Sequence, residues 1–151
     1  MPSDEKKQFE VLLKPCLKHA GFSKKAATWY RCTENTIQVV NLQGSQWSKI
    51  FFINLGVYLR SLGSSKQPAE YDCHIRTRLS QIVRNRYRLS ELLDAHSVDF
   101  RAIDRSDLPT ILVMHALPWL EKCSTKEGCA EEIAARRCMV RKNVQDAWVQ
   151  I

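Results

Sequence analysis

Apolar residues recur early in the chain at intervals of three and four: Phe9, Leu12, Leu13, Cys16, Leu17 and Ala20. That spacing draws one buried stripe along a helix and predicts a helix over residues 4–20. Pro15 should kink it, and Gly21 fits the left-handed position just past its end, with Phe22 folding back on Leu17. From Ala27 the period changes to two. Residues 27–33, 36–43 and 49–60 are rich in β-branched and aromatic side chains, and Glu34 and Asn35 mark a tight turn, so an antiparallel meander is predicted. Residues 72–79 alternate again and predict a fourth strand, while Gly63 to Pro68 has the composition of an exposed loop.

The rest of the chain reads as helical. Ile82, Val83, Leu89, Leu92 and Leu93 suit a helix or a helix pair within residues 80–97. A clearer helix begins at Leu108 after Ser106 and Asp107 as caps, burying Leu108, Ile111, Leu112, His115 and Trp119, with Pro118 bending its end. Ser124 and Glu127 stand in capping-box spacing ahead of a last helix that runs to about Val140, with Gly128 its weakest position. These elements predict a single α+β domain over residues 1–151: a four-stranded antiparallel sheet with the N-terminal helix and the C-terminal helices packed on one face.

Such a sheet buries one face and leaves the other open. In the third strand Phe51, Ile53, Leu55, Val57 and Leu59 share the side expected to be core, and Phe52, Asn54, Gly56, Tyr58 and Arg60 share the other. The same counting sets His74, Arg76 and Arg78 opposite Cys73, Ile75 and Leu79, and sets Trp29 and Arg31 opposite Thr28, Tyr30 and Cys32. The expected partner-binding face therefore comprises Arg31, Asn54, Tyr58, His74, Arg76 and Arg78. Guanidinium groups there could grip carboxylates or phosphates through paired hydrogen bonds, and Tyr58, Phe52 or Trp29 could stack bases. The second strand turns polar midway, where Asn41, Gln43 and Ser45 continue the face begun by Ile37 and Val39. Amides so placed are expected to secure a bulge or turn rather than to read a ligand.

Charge sharpens this picture. Lys and Arg number 23 against 16 Asp and Glu, a net +7, and the excess concentrates between Arg60 and Arg88, where seven basic residues face Glu70 and Asp72 alone. A field of that sign steers acidic molecules toward the chain, so an acidic protein is the expected partner and nucleic acid the alternative. The first residues are polar and charged, unlike a signal peptide, and no apolar run approaches a bilayer span, which predicts a cytoplasmic protein without a membrane partner. The six cysteines are then expected as reduced thiols. Cys123, Cys129 and Cys138 lack the close pairs of a structural zinc site, so neither metal nor cofactor is expected. Phosphate-binding loops, nucleophile elbows and metalloprotease helices are missing from the sequence. Cys73 and His74 are sequence neighbours on a strand and point to opposite faces, and His115 lies on an apolar stripe, so no catalytic residue is assigned. The expected function is non-catalytic binding.

Five short segments occur in a familiar order. They are Leu12-Leu13-Lys14-Pro15-Cys16-Leu17, then Gly21-Phe22-Ser23-Lys24-Lys25, then Val40-Asn41-Leu42-Gln43-Gly44-Ser45 with Trp47, then Phe52-Ile53-Asn54-Leu55-Gly56-Val57, and Cys73-His74-Ile75-Arg76-Thr77-Arg78-Leu79. Together they resemble the bacterial family catalogued as domain of unknown function 4304. That resemblance brings no reaction, cofactor or catalytic residue. It implies a small bacterial cytosolic domain of the kind that serves as an immunity or accessory protein.

Overall fold

Residues 3–96 and 100–144 are described by the structure, a computed structural model. Ser97, the end of the predicted stretch 80–97, lies outside them. Helix α1 (Asp4–His19) starts where the Ser3 side chain accepts the Lys6 N–H and buries Phe9, Leu13 and Leu17. It ends as its sequence predicts. Gly21 takes φ 92°, Phe22 N donates to Leu17 O at 3.0 Å and Gly21 N to Lys18 O at 3.0 Å, a Schellman ending.

A six-stranded antiparallel sheet follows, with every strand beside its neighbour in sequence. Its members are β1 (Ser23–Lys25), β2 (Thr28–Cys32), β3 (Thr36–Gly44), β4 (Phe51–Leu59), β5 (Ile75–Arg78) and β6 (Met139–Val140). The four strands expected from alternation are the inner ones. The two extra are edge pieces too short to carry a period: β1 is exposed throughout, and β6 has only two residues.

Helix α2 (Arg86–Leu92) is capped by Asn85, whose side chain accepts from Arg88 N. Helix α3 (Asp107–Ile111) runs through a π turn (Leu112–Ala116) into α4 (Leu117–Lys122). Pro118 has no N–H to give the preceding turn and its ring crowds the carbonyl behind it. The wider turn, in which Leu117 N reaches back to Leu112 O, makes room without breaking the rod. Helix α5 (Lys126–Ala134) begins at Thr125, not Ser124: Thr125 Oγ1 accepts from Gly128 N, while the Ser124 hydroxyl donates to Leu120 O at 2.7 Å. It stops six residues short of the predicted end, because the chain turns through Arg136 at φ 56° and returns to the sheet as β6. Gly128 belongs there for space, since a Cβ would stand 2.0 Å from Lys122 O.

The helices cover one side of the sheet. Phe9, Leu13 and Leu17 meet Trp29, Val40, Leu42, Ile53, Leu55 and Val57 in a core that also takes Leu89, Leu92, Leu108, Leu112, Trp119 and Leu120. Arg105 is sealed into it. Its guanidinium donates to Phe100 O and Asp94 O, at 3.0 and 2.9 Å, and to Leu92 O, and it lies against the rings of Phe9 and Phe100. A smaller second core of Ile37, Val39, Tyr58 and Cys73, with Tyr30 against it, fills the other side beneath residues 60–73.

Candidate functional site

The segment after β4 folds back across the sheet and decides how much of the second face stays open. Gly56 lets it approach: a Cβ there would stand 2.6 Å from the Cys73 sulfur. Burial and then the Glu70 charge push the Cys73 thiol up to about 12, far from a thiolate nucleophile. Tyr58 is 7% exposed, and its hydroxyl accepts from Ser65 N at 3.2 Å. His74 is 5% exposed, tilted against the Tyr58 ring at 4.6 Å, and its Nδ1 accepts the Leu59 N–H at 2.9 Å. Both residues were expected on a free surface. They anchor the covering segment instead.

Arg31 and Trp29 are a second correction. Trp29 faces Val40 and Arg31 faces Gln38 in the β2–β3 register, which turns both side chains toward the helices. Arg31 there donates to Gln38 Oε1 at 2.7 Å and to Ala20 O at 2.9 Å, and lies 3.6 Å from Glu121. Alternation sorts the residues of β2 into two sides but not which side is core, because both sides of that strand carry an aromatic ring.

Beside the covered part a polar row crosses four strands; Arg78 at its end is exposed, Thr28 and Asn41 are half-buried, and Asn54, also expected on the free face, is 5% exposed and serves inside the row. Thr28 faces Asn41, Asn41 faces Asn54, and Asn54 faces Arg78 in consecutive registers. Hydrogen bonds run along it in one direction. Arg78 Nε donates to Asn54 Oδ1 at 3.1 Å, Asn54 Nδ2 donates to Asn41 Oδ1 at 3.2 Å and Gln43 Oε1 at 2.8 Å, and Asn41 Nδ2 donates to Thr28 Oγ1 at 2.9 Å. Asn41 and Gln43 therefore orient Asn54 rather than secure a bulge. Asn54 in turn fixes the fork of Arg78, whose guanidinium also lies 4.2 Å from the Phe52 ring centroid.

The arginines on this face differ in their charge balance. Arg76 is clamped by Glu70 through two hydrogen bonds, 3.0 and 3.1 Å, which holds its guanidinium pKa above the usual value. Arg78 is exposed and has no ion pair among the described residues. Gln43, Asn54, Glu70, Arg76, Arg78 and Gln81 line one wall of a cleft of about 370 Å³, and residues 136–139 form the other wall. A larger basin of about 640 Å³ beside it runs over Asn41 and Thr28 toward Lys25 and Gln67. The sequence pattern predicts a helix through residues 136–139, which hides their place in the cleft; the helix ends at Ala134.

Among the described residues no cluster of three or more His, Cys, Asp or Glu could hold a metal ion, and no helix is long and apolar enough to cross a membrane. What the cleft offers is recognition: amides of fixed orientation beside an arginine with an unmatched charge. No curated protein and no solved structure matches the chain. The model of a family described as a domain of unknown function, DUF4304, matches residues 13–122, from the middle of α1 to the end of α4, and the chain belongs to that family.

Proposed function

We propose that the chain is a non-catalytic binding protein whose open sheet face receives an acidic segment of a partner protein. The observation that carries this reading is the row ending at Arg78. Three neighbouring side chains set the position of a guanidinium that no acid of its own neutralises among the described residues. Preorganisation of that kind lowers the ordering entropy of capture, and a forked donor suits a carboxylate. Nucleic acid fits less well, because of the three rings that could stack bases Trp29 and Tyr58 are buried and Phe52 lies under Arg78. Six free cysteines support work in a reducing compartment such as the cytoplasm, as an accessory or immunity-like protein.

Fluorescence anisotropy with a short labelled peptide rich in Asp and Glu tests it. The wild-type chain should bind, and Arg78→Ala should weaken binding about tenfold or more, since a hydrogen bond to a charged group contributes roughly 1.5–3 kcal/mol. A labelled single-stranded oligonucleotide serves as the comparison. Tighter binding of the oligonucleotide, with a log-log salt slope of about −0.7 per phosphate contact, would overturn the protein-partner reading. Equal peptide affinity for wild type and Arg78→Ala would do the same.

A further inference from the structure

The turn that ends α5 uses the wrong residue for its geometry. Arg136 N donates to Ile133 O at 3.0 Å and Arg137 N to Glu132 O at 3.3 Å, the same Schellman pairing that closes α1. In α1 the left-handed position is held by Gly21 at φ 92°; in α5 it is held by Arg136 at φ 56°. Glycine takes that conformation freely, whereas an L side chain is strained there, so the turn alone favours glycine. Nothing inside the fold uses the Arg136 side chain either. It is exposed and makes no hydrogen bond or ion pair among the described residues. Strain kept at a residue that supports no internal contact is a mark of a functional position.

Its surroundings say which function. Arg136 lines the same cleft as Arg76, Arg78 and Arg137. Two of those four are already matched, Arg76 by Glu70 and Arg137 by the buried Glu132. Arg78, on the sheet, and Arg136, at the helix end, have no acidic partner among the described residues. We propose that these two arginines form a receptor for one carboxylate, an Asp or Glu side chain carried by the partner's acidic segment. This inference rests on the binding reading above and names the group that is read. A carboxylate suits the cleft better than a phosphate dianion because Glu70 also stands in its wall, and added negative charge on the ligand would be repelled there. The exposed amides of Gln43 and Gln81 can meet the peptide groups on either side of it.

The test uses the full chain, the same labelled Asp/Glu peptide, and thermal melts. Arg136→Gly should melt at the same temperature as wild type or higher, yet bind the peptide about tenfold more weakly; Arg136→Lys, which keeps the charge but not the fork, should fall between. A phosphoserine peptide of matched sequence should bind no better than the carboxylate peptide. If Arg136→Gly binds like wild type while Arg78→Ala does not, the second arginine has no part and this inference fails alone. If both variants bind like wild type, it fails together with the binding reading. Preference for the phosphoserine peptide overturns the carboxylate assignment.

Discussion

His74 shows how a side chain expected on a surface becomes a structural part. Its ring is closed in between Tyr58 and the backbone of Leu59, and burial, assisted by the nearby Arg141 charge, holds its pKa below the ordinary value. The folded chain therefore keeps His74 neutral where the unfolded chain, with a histidine pKa of about 6.5, already takes up a proton. Stability from this group is complete above that pH and is lost as pH falls toward the depressed folded value. In His74→Asn an amide oxygen can still accept from Leu59. Urea titrations from pH ~6.5 down to ~4.5, where carboxylates begin to titrate, should show a smaller decline in midpoint for this variant than for wild type. Parallel declines would exclude His74 as the source. In the sequence, His74 and Arg31 could be sorted by alternation into one side of a strand or the other. Which side meets the helices, and whether a distant loop then covers it, depends on contacts that alternation does not contain.

Within an element, the legible features were those set by neighbours in sequence. The end of α1 follows from Leu17, Gly21 and Phe22 alone, and the faces of β4 follow from nine residues of strict alternation. The early stop of α5 and the two-residue β6 were not legible, because each is imposed by packing on another part of the chain, whereas the π turn answers Pro118, whose disturbance of the helix is legible although its form is not. Gly56 belongs with them. In sequence it is a weak point of a strand, whereas in the fold it is where Cys73 lies against β4. Gly56→Ala should destabilise the protein by about 1–3 kcal/mol through that overlap, read as a lower chemical-denaturation midpoint with an unchanged slope. An unaltered midpoint would mean that the covering segment yields freely.

At the scale of the whole molecule, two cores of unequal size sandwich one sheet, and Arg105 joins the pieces of the larger one. It binds three main-chain carbonyls between Leu92 and Phe100 while lying on Phe9 of α1, so it ties α1 and the end of α2 to the approach to α3. Arg105→Met fills similar space but leaves those carbonyls without their donor. A loss on the order of 3 kcal/mol is expected in equilibrium unfolding, and a loss below about 1 kcal/mol would show that water replaces the guanidinium. The sheet itself carries a further consequence. Its first five strands are made in spatial order, but the outer neighbour of β5 comes only after α2, α3, α4 and α5. A ribosome therefore releases β5 with a bare, hydrogen-bond-hungry flank that stays open to stray pairing until Met139 and Val140 emerge. Because the same late segment lines the cleft, the cleft is complete only when synthesis and folding have both reached Met139.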